Sequence, residues 1–258
     1  MSLKPLIFIT NDDGIHAPGL RALINIAKPL GDVVVVAPDK PQSGMGHAVT
    51  TSSPLRLKKL TEEKGFVEYS CNGTPADSVK LGEKVVLKRK PDLILSGINH
   101  GSNAGINILY SGTMAAALEG AMSNIPAIGF SLLDYSPDAD FQPSEGYVDT
   151  IIRGVLQHGI LPHTCINVNI PALPFSELKG IKICRMGRGF WDEELEERTD
   201  PQSRKYYWLA GKFVSLDNEE DTDEWALAHQ YISVVPIQLD MTSYPLIQSL
   251  KHLENHAK

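Results

Sequence analysis

Long apolar runs are missing from this chain. No stretch approaches the ~18 consecutive apolar residues of a membrane-spanning helix, and the opening residues, Met1 to Thr10, hold too short an apolar run for a secretory signal. Cysteine is scarce. Cys71, Cys165 and Cys184 are odd in number, far apart and without C-x-x-C spacing. That argues against a zinc site or disulfide framework and for three reduced, structural thiols in a cytoplasm. Surplus positive charge is missing too. With 24 Lys and Arg against 31 Asp and Glu the net charge is −7, whereas a protein that grips nucleic-acid backbone wants a basic face. Neither a membrane nor a stable nucleic-acid partner is expected, but a small phosphorylated ligand held through a local metal fits this charge.

Several phosphate and hydrolase devices are also absent. No G-x-G-x-x-G follows the first strand, and there is no P-loop. The adjacent acids Asp12 and Asp13 lack the D-x-D spacing of aspartyl-phosphate phosphatases and of many glycosyltransferase metal sites. No G-x-S-x-G elbow points to a serine hydrolase.

What is present is an ordinary globular composition, 42% hydrophobic and 21% charged over 258 residues, enough for one large α/β domain or a domain plus an extension. Leu6–Thr10 reads as a buried strand. Leu20, Leu23, Ile24 and Ala27 recur at helical spacing, so a helix covers about 18–28, with Pro18 in its first turn. Val33 to Ala37 reads as a second buried strand. This β-α-β start predicts a parallel sheet with right-handed crossovers. Weak alternation over 55–71 suggests short edge strands, and Thr74-Pro75-Ala76-Asp77 opens a helix running to about Leu87. Further strands are expected at Leu93–Leu95, Ala127–Ser131 and Cys165–Val168. Helices are expected from near Thr113 to Ile125 and around Val148 to Val155. Through about residue 172 the pattern is that of one doubly wound α/β unit. Beyond it, strands at 180–186 and 204–214 flank an acidic, aromatic stretch read as a protruding β-hairpin arm. An acidic loop at Asn218–Asp223, a strand at Ile232–Leu239 and a short helix at Tyr244 to about Leu253 complete the chain.

Four polar segments could converge at one sheet edge. Asn11-Asp12-Asp13-Gly14 follows the first strand, where open α/β sheets place their sites; on its own it is also a common solvated turn. Ser43 lies in the long loop 38–53 beside Gly44 and Gly46, and is otherwise a loop serine. Asn99 follows the strand at Leu93–Leu95 and is otherwise a turn asparagine. Ser111, Gly112 and Thr113 open a helix whose free N–H groups favour an anion, although Ser111 or Thr113 also makes an ordinary N-cap. Two carboxylates, a hydroxyl and an amide are oxygen donors that suit Mg²⁺ or Mn²⁺. A hard cation beside a helix N-terminus points to hydrolysis of a phosphate monoester. Attack by a water on the metal and proton acceptance by Asp12 are both compatible with these residues. His16, His47 and His100 lie in the same loops, and none is assigned a catalytic role.

In order along the chain, "ITNDDGIHAPGL", "VVAPDKPQSGMGHAVT", "NGTPADSVKLG", "PDLILSGINHGSNAG", "YSGTMAAALEGA" and "YISVVPIQLDMT" resemble the survival protein SurE family of 5′/3′-nucleotidases, from residue 7 to about 241. The resemblance implies a Rossmann-like core over about 1–175 and a hairpin arm with a C-terminal oligomerisation extension over about 176–258, together one domain. It implies one divalent metal per subunit, Mg²⁺ or Mn²⁺, held by Asp12, Asp13, Ser43 and Asn99. Asn11 stands beside these ligands, and Gly44, Ser111, Gly112 and Thr113 line the phosphate site. It further implies hydrolysis of nucleoside 5′- and 3′-monophosphates, with short polyphosphate in some members. The assembly would be a homodimer or homotetramer with the C-terminal arm exchanged. Met45-Gly46-His47 and Asn107 depart from residues many members carry, at positions that bear on base preference. The alternative from another class is a nucleotide-binding regulatory module without turnover; the two acids weigh against it, since negative charge beside a phosphate needs a cation.

Overall fold

A computed structural model describes residues 4–256. Its main sheet contains β1 (Leu6–Thr10), β2 (Asp32–Pro38), β3 (Leu57–Glu63), β4 (Phe66–Cys71), β5 (Leu93–His100), β6 (Ala127–Leu132), β7 (Thr164–Ile170), β8 (Ile181–Ile183) and β11 (Ile232–Gln238). They lie in the order β3-β4-β2-β1-β5-β6-β7-β11-β8. The run from β4 to β7 is parallel; β3 is antiparallel to β4, and β11 to β7. The central strands are apolar on both faces because both faces are covered. On one side α1 (Pro18–Ala27) and α4 (Glu145–His158) bury Leu20, Leu23, Val148 and Ile152 against Ile7, Ile9 and Leu95. On the other, α2 (Pro75–Leu81) and α3 (Gly112–Met122) bury Val79, Met114 and Ala117 against Phe8 and Ile94.

The chain runs from β1 outward through β2 to β4 and β3, then returns to place β5 on the other side of β1. The strand order therefore reverses between β1 and β5, and the crevice beyond their carboxyl ends is where such sheets bind ligands.

The expected boundaries shift at several places. β5 continues past Leu95 to His100, through a register irregularity between Ser96 and Asn99. The glycine- and asparagine-rich sequence hides strand here because its pairing is irregular. The helix at Thr74 does carry the expected capping box with Asp77, but its α-helical part stops at Leu81 and a wider π turn spans Gly82–Val86. The segment at 180–186 is not part of the arm: Ile181–Ile183 pairs with β11 in the main sheet. The arm consists of β9 (Gly189–Thr199) and β10 (Lys205–Ser215), so the acidic stretch is itself a strand. Both arm faces are largely exposed, which tolerates charge, and Glu197 accepts from Lys205 at 2.9 Å and from the Tyr207 hydroxyl at 3.0 Å. The acidic loop leads into an unforeseen helix, α5 (Asp223–Ala228), which Thr222 caps by accepting from the Trp225 N–H at 3.2 Å. The final helix, α6, is Tyr244–Leu250, followed by a 3₁₀ turn over Lys251–His256.

Candidate functional site

β1 ends at Thr10, and Asn11, Asp12 and Asp13 follow at the reversal of strand order. Gly14, at φ +100°, supplies the turn that takes the chain out of the sheet. Asn11 is buried; its amide donates to the Gly14 carbonyl at 3.0 Å, while its Oδ1 has no partner. Asp12 is 4% exposed and accepts from the Thr113 hydroxyl at 2.5 Å. Burial, followed by Thr113's opposing hydrogen bond and the charge of Asp13, leaves its carboxyl raised to about 6. Asp13 accepts from the His100 backbone N–H at 3.2 Å, and burial raises its carboxyl too, against that hydrogen bond.

Asn99 stands at the end of β5, beside β1. Its amide nitrogen donates to the carbonyls of His100 at 3.1 Å and Gly101 at 2.9 Å. That sets the amide orientation and leaves Oδ1 as the uncommitted acceptor. Ser43 and Gly44 are exposed in the long loop, which is tied down on both sides of them. The Gln42 N–H donates to the Asp12 carbonyl at 2.8 Å and the Gly46 N–H to the Tyr110 carbonyl at 3.1 Å. His47 meets Glu119 of α3 at 2.9 Å.

The opening of α3 completes the arrangement. Ser111 is its N-cap, accepting from the Met114 N–H at 3.0 Å. Its hydroxyl thus has the ordinary capping role, whereas Thr113 turns its hydroxyl to Asp12. Gly112 is required by close approach: a Cβ there would lie 2.8 Å from the Cβ of Asp12. Asp12, at the end of β1, therefore touches the helix start whose free N–H groups and dipole favour negative charge.

The expected residues thus gather around one crevice: Asn11, Asp12, Asp13 and Asn99 at strand ends, Ser43 and Gly44 on the loop tied to Asp12, and Ser111, Gly112 and Thr113 at the helix start. Of the three histidines, His16 is exposed and His100 packs edge-on to Phe141 at 5.1 Å. Among the described residues no group of three or more His, Cys, Asp or Glu is placed to hold a metal. A cation here would rest on two carboxylates plus neutral oxygens. The donor chemistry fits a hard divalent ion: the donors are all oxygen, two adjacent acids are disfavoured as anions by burial, and a buried acceptor, Asn11 Oδ1, has no partner.

Three features escaped the sequence. Glu119, 6% exposed, joins His47 to Lys80, whose ammonium it meets at 2.5 Å. Asp223, fully buried, accepts from the N–H groups of Gly105 at 2.8 Å and Gly187 at 2.7 Å, and so fastens the segment before Ser111. The Trp191 indole donates to Asn107 Oδ1 at 2.7 Å. Only the second left a trace, a threonine followed by two acids, which is a helix-start pattern.

Comparison with known proteins agrees with this architecture. A family model described as "Survival protein SurE" matches residues 7–193. A protein named 5′-nucleotidase SurE from Christiangramia forsetii is 56% identical over 249 residues, 96% of either chain. One of the same name from Bacteroides thetaiotaomicron is 45% identical over 250 residues, again 96% of either chain. The crystal structure of the SurE protein from Aquifex aeolicus superposes with a TM-score of 0.83 at 43% identity, covering 97% of this chain and 100% of that one.

Proposed function

The chain belongs to the survival protein SurE family, and we propose that it is a divalent-metal-dependent phosphomonoesterase. Its substrates are nucleoside 5′-monophosphates, extending to 3′-monophosphates and short polyphosphate. The observation that carries this reading is the contact between buried Asp12, one of two adjacent acids, and the N-terminus of α3. Asp12 accepts from Thr113, and Gly112 leaves no room for a side chain between them. A site that binds an anion at a helix start has no use for two carboxylates unless a cation joins them.

In this reading Asp12, Asp13, Ser43 and Asn99 hold one Mg²⁺ or Mn²⁺ per chain. The bound ion would supply a Lewis acid for a phosphoryl oxygen and acidify a water. The chain's own groups do the rest. The N–H groups at Gly112 and Thr113 receive phosphoryl oxygens and stabilise charge that grows on them. Gly44 lets the loop backbone approach the phosphate, and Asn11 offers its unpaired amide oxygen. The Thr113 hydroxyl holds Asp12 in one orientation, and the His100 N–H does the same for Asp13.

The same reading treats residues 1–258 as one domain, with a core to about residue 175 and an arm and extension beyond it. It assembles as a homodimer or homotetramer with the C-terminal part exchanged. In support, Leu195, Trp208 and Leu209 of the arm and Met241, Tyr244, Leu250 and Leu253 of the tail are exposed. Three free, buried cysteines fit work in a reducing cytoplasm, and among the described residues no helix is long and apolar enough to cross a membrane.

The test is phosphate release from AMP by chelator-stripped protein with Mn²⁺ or Mg²⁺ restored, beside Asp12→Asn. Release that needs metal and is lost in the variant is expected. Folded protein that binds AMP but releases no phosphate from it, from a 3′-nucleotide or from polyphosphate would move the site to a binding module.

A further inference from the structure

Asp223 opens α5 and is fully buried. Its carboxylate is hydrogen-bonded by backbone N–H groups: Gly105 donates to Oδ2 at 2.8 Å, and Gly187 and Glu224 donate to Oδ1 at 2.7 and 2.9 Å. Burying a carboxylate is costly unless such bonds replace its water. An amide in its place would keep only one acceptor oxygen. The carboxylate is therefore what lets one side chain hold two distant segments at once. Both segments come close. A Cβ on Gly187 would lie 3.0 Å from Asp223 Oδ1, and one on Gly105 would lie 3.4 Å from the Gly187 carbonyl oxygen.

The two segments lead to different parts of the molecule. Gly187 belongs to the root of the hairpin arm: next to it, the Arg188 carbonyl accepts from the Leu216 N–H at 2.8 Å, just past the ends of β9 and β10. Gly105 opens a 3₁₀ turn, Gly105–Leu109, which runs through Tyr110 into Ser111, the N-cap of α3. Two residues earlier the same segment is fixed to the main sheet. The Asn103 N–H donates to Asn169 Oδ1, and its carbonyl accepts from Asn167 Nδ2, both at 2.8 Å and both from buried residues of β7. With Asn103 clamped, the bond from Gly105 to Asp223 sets the direction in which the 3₁₀ turn leaves the sheet. It thereby sets where the N–H groups of Gly112 and Thr113 stand. We propose that Asp223 is a positioning residue that locks the phosphate end of the site to the root of the arm, so that phosphate binding depends on how the arm is seated. The proposal rests on the phosphomonoesterase reading and adds a dependence which that reading does not itself require.

The experiment measures calorimetric binding of inorganic phosphate to the Mn²⁺-loaded chain, Mn²⁺ affinity, and kcat/KM for AMP. The proteins are the wild type, Asp223→Asn, Gly187→Ala and the double variant. Asp223→Asn should weaken phosphate binding and lower kcat/KM by about tenfold or more. Its Mn²⁺ affinity should stay that of the wild type, since Asp12, Asp13 and Asn99 are held from β1 and β5. Gly187→Ala, which disturbs only the arm side of the link, should show the same pattern in smaller measure. The double variant should be no worse than Asp223→Asn, because both changes break one connection. A merely structural role would lower Mn²⁺ and phosphate binding together. That result, wild-type phosphate binding in Asp223→Asn, or additive losses in the double variant would overturn the proposal. If Asp223→Asn does not fold, Gly187→Ala decides: weaker phosphate binding with Mn²⁺ affinity intact upholds the link, and unchanged binding overturns it. A wild type that binds phosphate but hydrolyses no AMP, with weaker binding in the variants, would remove the phosphomonoesterase reading and uphold the link. A wild type that binds no phosphate would overturn both.

Discussion

Glu224 is a partly buried acid on α5, next to fully buried Asp223. Burial first, and the Asp223 charge second, push its carboxyl from the ordinary 4.5 to about 7. The folded protein therefore holds a proton on this group that the unfolded chain has released between about pH 4.5 and pH 7. Stability falls as pH rises through that window and levels off above it. At ~1.36 kcal/mol per pH unit the full effect is about 3 kcal/mol. Part of the side chain reaches water, which screens it, so about 1–2 kcal/mol is expected. Glu224→Gln removes the ionisation and keeps the shape. Urea unfolding from pH 4.5 to pH 8 should show wild-type stability declining relative to the variant, with the variant about 1–2 kcal/mol more stable at pH 8. Parallel curves across this range would refute the reasoning.

Glu119 tests the opposite sign. Burial raises its carboxyl, but hydrogen bonds from His47 and Lys80 outweigh burial and hold it below the ordinary 4.5. The stability it contributes is present above that value and lost as pH falls through the lowered one, so Glu119→Gln should be the less stable protein at pH 7 and the gap should close in acid unfolding below about pH 4.5. Gly112→Ala would put a methyl 2.8 Å from the Cβ of Asp12; metal-dependent phosphate release should fall at least tenfold while far-ultraviolet circular dichroism stays native. The three cysteines are buried, and burial raises every thiol, Cys165 to about 12. A thiol-reactive dye should leave the native protein unlabelled and modify all three in denaturant.

The parallel core was legible because its strands are buried on both faces and stand between helical periodicities, as Val33 to Ala37 and Leu20 to Ala27 illustrate. The site was legible where chemistry and backbone coincide: two acids and a glycine after a strand, and a capped helix start after a polar loop. The end of β5 was not, since its irregular pairing runs through Gly97 and Asn99. The first strand of the arm was expected at 180–186 and lies instead at Gly189–Thr199, because a two-stranded arm with exposed faces imposes no hydrophobic alternation to mark it. Contacts between residues far apart in the chain, such as Glu119 with His47 or Asp223 with Gly105, leave no local pattern to read.

Metal binding itself is the measurement to make first. Chelator-stripped wild-type protein and Asp12→Asn would be titrated with Mn²⁺, following the free ion by electron paramagnetic resonance. Wild type should take up one Mn²⁺ per chain. The variant should bind more weakly by at least the ~10–100-fold seen when a mere supporting group of a metal site is removed. Equal uptake by both proteins would place any metal elsewhere, and no uptake by the wild type would contradict the assignment of Asp12, Asp13, Ser43 and Asn99 as its ligands.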